Sequence, residues 1–288
     1  MKRMSRILSA LIILVGSLTM LIPFVDMTIG ALRTRQESIS VPLVFWPRSP
    51  QWQNFVDVLH SLPMGRLYLN SLITAGGVTL AVLVTSALTG FALAKYRFVG
   101  REGFFRFVLG TLMFPQFVFL IPVYYLMKRV PLAGGNDLLG IGGSGLLHSY
   151  GALILPFMVN GFGIFLMRQF IMDIPDELIE AARIDGCSEL RIFTHIVLPN
   201  LKPAMATLAI FIFLGQWNEF IWSMIITTSA QKLMTLPVGI QLLQGQLDPV
   251  RTDLLMRAAL SYAVWPVIGL FVLLQKYYVK GMVMTGMK

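Results

Sequence analysis

Asp173-Ile-Pro-Asp-Glu-Leu-Ile-Glu-Ala-Ala-Arg-Ile-Asp-Gly186, followed by Cys187-Ser-Glu-Leu-Arg-Ile-Phe-Thr-His-Ile-Val-Leu-Pro199, is the most informative stretch of this 288-residue chain. It predicts two short helices. Pro175 presets φ for a first turn, and Asp176 and Glu177 place negative charge at the positive end of the helix dipole. Gly186 suits a left-handed stop, and Ser188 suits the cap of a second helix. Ile174, Leu178, Ala181, Ala182 and Ile184 give the first helix an apolar side, whereas Glu177, Glu180 and Asp185 mark polar positions. Paired Ala181 and Ala182 would let a partner backbone approach closely. Glu180 offers a carboxylate to a partner cation, and Gly186 permits the sharp turn that leaves the helix protruding. Such a helix is expected to dock on another protein. A helix lying flat on a membrane would carry Lys and Arg on its polar face, and this one is acidic there.

The sequence on either side is of another kind. Hydrophobic residues make up 56% of the chain and charged ones 13%, and mean hydropathy is +0.73. That is too little charge to cover a soluble surface, so the chain belongs in a bilayer. The net charge of +9 does not indicate nucleic acid, because the basic residues are scattered between apolar runs rather than gathered on one stripe. Apolar runs of spanning length fall at about 7–32, 68–94, 104–127, 146–167, 204–228 and 258–278. They are apolar all round and too long for barrel strands, which alternate over about ten residues. The expected fold is therefore an all-α membrane protein, one transmembrane domain over 1–288 with six spans. The first run, preceded by Lys2, Arg3 and Arg6, is too long for a signal peptide and lacks a small-residue cleavage site, so it counts as a span.

Fourteen of the 23 Lys and Arg residues fall on one side if the N-terminus is inside, so both termini are expected to be cytoplasmic. The informative loop, 173–199, then lies in the cytoplasm between spans four and five. The segment between spans one and two, with Pro42, Pro47, Pro50, Pro63, Trp46 and Trp52, is expected to form a short external cap. The glycine cluster from Gly134 to Gly145 is expected to make a flexible external loop. Cys187 is the only cysteine, so no intrachain disulfide is possible, and it is expected to be a small buried filler.

Glu180-Ala181-Ala182, three residues, Gly186, nine residues, Ile196, one residue, Leu198-Pro199 resembles the full EAA signature of ABC importer permeases. The resemblance extends outward. Trp217-Asn218-Glu219-Phe220, Thr235-Leu236-Pro237-Val238-Gly239 and Gln275-Lys-Tyr-Tyr-Val-Lys280-Gly281 look like carbohydrate importers, in particular maltose-permease-like subunits. It implies the type I importer bundle of the bacterial inner membrane. It also implies a coupling helix that contacts an ATPase subunit through Glu180, Ala181, Ala182, Asp185 and Gly186, with a secondary tail contact near Lys280 and Gly281. The implied partners are a homologous second permease, two cytosolic ATP-binding subunits, an extracytoplasmic solute-binding protein and membrane lipid. No cofactor is expected on this chain, and ATP and magnesium would sit on the ATPase. The implied cargo is a sugar, oligosaccharide, polyol or sugar-like phosphate.

Polar residues inside the spans are expensive and therefore informative. Glu219 beside Asn218 in span five reads either as a functional acid or as hydrogen-bonded structural glue. Asn160, among Gly151, Pro156, Gly161 and Gly163 in span four, is a candidate for a broken helix lining a cavity. Close helix packing explains those glycines equally well. Gln116, between Pro115 and Pro122 in span three, carries the same two readings. His195 lies in the loop with no second ligand at metal-binding spacing. No Gly-x-x-x-x-Gly-Lys-Ser/Thr loop is present to cradle nucleotide phosphates, and no hydrolase or metalloprotease motif occurs, so the chain is not expected to be an enzyme. The rival readings are a secondary transporter or channel working through Glu219, and a non-transporting scaffold.

Overall fold

The computed structural model describes the backbone of residues 2–42, 44–244 and 248–285, and the side chains of 8–42, 44–244 and 248–275. Among the described residues every regular element is helical. In chain order these are α1 (Lys2–Ala31), α2 (Arg35–Ser38), α3 (Gln53–Ser61), α4 (Met64–Lys95), α5 (Arg101–Thr111) and, after a 3-10 turn at Gln116–Phe119, α6 (Leu120–Lys128). Then come α7 (Tyr150–Ile154), α8 (Gly161–Met172), α9 (Asp176–Ile184), α10 (Glu189–Ile192), α11 (Leu198–Asn200), α12 (Lys202–Trp217), α13 (Ile221–Thr227), α14 (Leu236–Gln241) and α15 (Pro249–Thr285).

Among the described residues three unbroken helices are long and apolar enough to cross a membrane, over Leu8–Ala31, Met64–Lys95 and Pro249–Gln275. The other expected spans are interrupted. Arg101–Thr111 and Gln116–Lys128 meet at 95°, Tyr150–Phe157 and Gly161–Met172 at 49°, and Glu189–Asn200 and Lys202–Trp217 at 76°, giving up to six spans if each bent pair is one. The continuous runs expected at 104–127 and 146–167 are thus each two half-helices. The run at 204–228 also breaks, at Asn218–Phe220. Pro115, Pro156 and Pro203 stand beside three of these bends, where a missing N–H and a fixed φ disfavour helix continuation.

The chain forms two units, residues 1–65 with 238–267, and residues 66–237 with 268–288. In the first, the end of α1 is tied by charge. Arg33, only 2% exposed, pairs with Asp26 at 2.8 Å, and Arg257 reaches the other Asp26 oxygen at 2.9 Å. Asn54 donates to the Ala31 carbonyl at 2.7 Å and accepts from Arg251 at 2.6 Å, while Arg251 also pairs with Asp57. Arg33 and Arg251 both lie between the apolar runs, and both are structural. The segment joining α1 to α3 carries exposed Trp46 and Trp52, in keeping with interfacial aromatics.

In the second unit α8 packs against α5 and α12, and the core joins Val82, Phe91, Met167, Ile171, Val197 and Leu208. α4 and α8 approach to backbone contact at Gly90. A Cβ there would meet Met167 Cβ at 2.8 Å and the Arg168 nitrogen at 2.9 Å. Gly90→Val should therefore force the helices apart and cost about 1–3 kcal/mol, as overpacking does, read as a lower melting temperature in detergent. An unchanged melting temperature would show that the contact has slack. The glycine-rich loop is not loose: Asn136 donates to the carbonyls of Lys128 and Val130 at 2.8 and 3.0 Å and accepts from the Gly143 N–H at 2.8 Å. Five of its six glycines, all but Gly143, sit at positive φ within a folded turn. Cys187 is half-buried at the edge of the core cluster rather than enclosed.

Candidate functional site

The loop after α8 folds as two capped helices. Pro175, with φ −57° and ψ 134°, starts α9, and Asp176 and Glu177 occupy its first turn. The end is a Schellman motif: the Cys187 N–H donates to the Ala182 carbonyl at 2.9 Å and the Gly186 N–H to the Arg183 carbonyl at 3.0 Å, with Gly186 at φ +79°. The Ser188 hydroxyl then accepts the Arg191 N–H at 3.4 Å and opens α10.

The faces of α9 differ from the expected ones. Ile179 and Ala182 are buried in the chain's own core with Ile174, Phe91 and Ile192, whereas Leu178 and Ala181 are exposed and Ile184 is 86% exposed. Of the alanine pair, therefore, only Ala181 is available to a partner; Ala182 is the anchor. The difference arises because α9 must bury one stripe to be held at all. Glu180, Asp185 and Gly186 are exposed beside Ala181, and Leu190 of α10 extends the outward apolar surface.

Charged and phenolic side chains outside the expected docking positions fix the loop to the end of α4. Lys95 Nζ donates to Asp176 Oδ1 and to the Ile174 carbonyl, both at 2.5 Å. Tyr96 Oη donates to Glu189 Oε2 at 2.5 Å, and Arg183 forks onto both Glu189 oxygens at 2.7 and 3.3 Å, with its guanidinium 5.6 Å from the Tyr96 ring centre. The Lys95 ammonium holds the Asp176 carboxyl below the usual carboxylate range, and Arg183, then Tyr96, hold that of Glu189 below it. Burial, then the Glu189 carboxylate, push the Tyr96 hydroxyl up. Together with Arg97 and Glu180 these groups line a polar groove of about 540 Å³. His195 is exposed and contacts the Arg191 carbonyl and Thr194 hydroxyl, at 3.2 and 2.9 Å from Nδ1. The backbone of Lys280 and Gly281 continues α15, and their side chains lie outside the described residues.

The second constellation forms where half-helices end. Asn160 caps α8, its Oδ1 accepting the Gly163 N–H at 2.9 Å. Glu219 holds the start of α13: Oε1 accepts the Trp222 N–H at 2.7 Å, and Oε2 accepts the Ser223 N–H at 2.8 Å and the Ser223 hydroxyl at 2.7 Å. The Thr85 hydroxyl donates to the Met158 carbonyl at 2.9 Å, and the Trp222 indole N–H to the Ala152 carbonyl at 2.9 Å, so groups freed by the breaks are satisfied internally. Gln116, Asn160 and Glu219 line one cavity of about 220 Å³ with Gln216, Phe157 and Phe211. Gln116 and Glu219 also line an adjoining one of about 260 Å³ with Phe117, Phe119, Phe157 and Trp222. Three of the four sequence-selected path residues thus meet. Asn218 does not join them; it is exposed, and its amide turns back to the Leu214 carbonyl at 3.0 Å. Gln216, three residues before Glu219, was missed, although a polar residue next to Gly215 in an apolar run was the available signal.

Broken apolar spans, an outward helix on a polar loop and a polar cavity at the breaks are features that suit a membrane transport subunit. The sequence profile of the inner membrane component of binding-protein-dependent transport systems matches residues 86–284. The chain is 32% identical to the sn-glycerol-3-phosphate transport system permease protein UgpE of Pectobacterium atrosepticum, over 96% of this chain and 95% of that protein. It is 32% identical to the arabinooligosaccharides transport system permease protein AraQ of Bacillus subtilis, over 98% of this chain and 96% of that one. A crystal structure of a bacterial ABC transporter involved in the import of the acidic polysaccharide alginate shares the fold, with a TM-score of 0.79 over 96% of this chain and 97% of that chain at 23% identity. The chain belongs to the family of inner membrane components of binding-protein-dependent transport systems. It is a multi-pass ABC importer permease rather than an enzyme, with ATP hydrolysis on separate chains. Membership implies, in general, a partner permease, ATPase subunits and a solute-binding protein.

Proposed function

We propose that this chain is one of two permease subunits in an importer with two ATPases and an external solute-binding protein, that both its termini are cytoplasmic, and that it passes a carbohydrate or carbohydrate-like solute. The solutes for which UgpE and AraQ are named, sn-glycerol-3-phosphate and arabinooligosaccharides, support that solute class. The exposed face of α9, with Glu180, Ala181, Asp185, Gly186 and the projecting Ile184, takes the ATPase contact, with a tail contact at Lys280 and Gly281. The observation that carries this reading is that α9 buries Ile179 and Ala182 in its own core and still presents Leu178 and Ile184 outward. Apolar side chains held out by a charge-fixed loop are anchors without a pocket.

The path from loop to cavity runs along α4. Lys95 at its end and Tyr96 just beyond hold the loop, while Thr85 touches the Met158 break and Val78 lines the cavity. At roughly 1.5 Å per residue, one helix of about 25 Å links the two sites. A push on α9 therefore turns the half-helices that bound the cavity, the differential contact that alternating access needs. ATP and magnesium remain on the ATPase, and residues 1–288 act as one transmembrane domain.

The test is co-purification with the ATPase and second permease, wild type against Glu180→Ala and Ile184→Asp. Solute-stimulated ATP turnover should fall about tenfold or more in the aspartate variant, the loss expected of a buried anchor. Wild-type stimulation in both variants would remove the docking assignment. The ion-coupled reading fares worse on the geometry, because both Glu219 oxygens are occupied in holding α13.

A further inference from the structure

The two adjoining cavities have an unusual charge balance for a permease with relatives that carry a phosphate ester, an arabinooligosaccharide and an acidic polysaccharide. Among the described residues lining either one there is no Lys, Arg or His, and Glu219 supplies the one charged group. The other polar groups are the amides of Gln116, Asn160 and Gln216, and the remaining wall mixes aromatic rings, Phe117, Phe119, Phe157, Phe211 and Trp222, with aliphatic side chains. Asn160 and Glu219 are also fixed in place by their capping bonds, so these two polar groups are preorganised rather than free to swing aside. We propose that this lining selects an uncharged polyhydroxylated solute, a neutral oligosaccharide or polyol, and turns away phosphate esters and uronates. This inference rests on the carbohydrate-importer reading and narrows it.

Aromatic faces pack the C–H surfaces of a sugar, the amides exchange hydrogen bonds with its hydroxyls, and the one lone pair left on Glu219 Oε1 can accept from a hydroxyl. A phosphate or uronate entering the same space would leave water, meet no cation, and stand beside a carboxylate. Desolvation and like-charge repulsion then act in the same direction. A neutral sugar meets neither.

The experiment uses the assembled complex of this chain, the second permease and the ATPases without the binding protein, so that the latter's selectivity does not enter. Equilibrium binding is measured for neutral pentose and hexose trisaccharides, sn-glycerol 3-phosphate and a uronate trisaccharide. A neutral trisaccharide should bind about tenfold or more tightly than either anion, and Gln116→Arg should shrink or reverse that ratio by placing a cation in the lining. Should the arginine variant fail to assemble, Glu219→Gln removes the negative charge and should raise anion binding alone. An anion that binds the wild type as tightly as the neutral sugars overturns the proposal, as does a ratio that the assembled variants leave unchanged. If no solute in the panel binds, the cavity is not a solute site. ATP-driven import by the same preparation with binding protein added then decides whether the importer reading survives by itself.

Discussion

Gly186→Val is expected to abolish coupled import while leaving the membrane bundle folded. At φ +79° a β-branched side chain clashes with its own backbone, a penalty of roughly 1–2 kcal/mol for the left-handed region before any loss of bonding. Relief of that strain rotates the Gly186 and Cys187 N–H groups away from the carbonyls of Arg183 and Ala182, at about 1 kcal/mol for each bond lost. Nothing lies within 4 Å of a Cβ at this position, so the effect comes from the backbone and not from crowding. The consequence is aim: α9 would leave Glu180, Ala181 and Ile184 in a different direction, and α10 would lose its register with Ser188. Import into proteoliposomes should fall more than about tenfold, the scale expected when a preorganised contact is displaced by an ångström or so. The melting temperature should move little. Gly186→Asn should be far milder, because asparagine tolerates this conformation. Import by the valine variant at the wild-type rate would show that the turn is dispensable.

What the sequence exposed depended on how local the cause was. The caps of α9 and α10 were readable, since Pro175, Gly186 and Ser188 act on backbone atoms within a few residues. Which side of α9 faces inward was not readable. Ile179 and Leu178 are adjacent aliphatics, and the choice between them is made by Phe91, Met167 and Val197, far away in the chain. The ties from Lys95 and Tyr96 to Asp176 and Glu189 were invisible for the same reason, although all four residues are ordinary loop charges and phenols by composition. The spans were located by hydropathy, but a running average hides an interruption of three residues. Pro115 and Pro156 hinted at two breaks. The third, at Asn218–Phe220, was masked by the apolar residues on both sides, and Glu219 was consequently weighed as a lone acid in a continuous helix rather than as the group that begins a new one.

That placement makes Glu219→Leu the substitution with the largest expected effect on stability. Leucine removes the acceptors of the Trp222 and Ser223 N–H groups and of the Ser223 hydroxyl at once. Ser223 is buried, so water does not readily replace them, and an unsatisfied buried donor costs about 1–3 kcal/mol. Three such donors exceed the margin on which a short helix such as α13 survives, and Trp222 would lose the position from which it reaches the Ala152 carbonyl. The variant should therefore fail to accumulate in the membrane, or melt well below the wild type in detergent. Glu219→Gln keeps one carbonyl oxygen as an acceptor and should fold, with import reduced but still driven by ATP. The pair separates the two roles open to this residue. A carboxylate that carried a proton or ion would be abolished by glutamine as completely as by leucine, with transport that follows an ion gradient and ignores ATP. A carboxylate that caps a half-helix separates the two variants sharply, by melting temperature first and by transport second. Equal melting temperatures for both would show that α13 is held by packing against α7 and not by its cap.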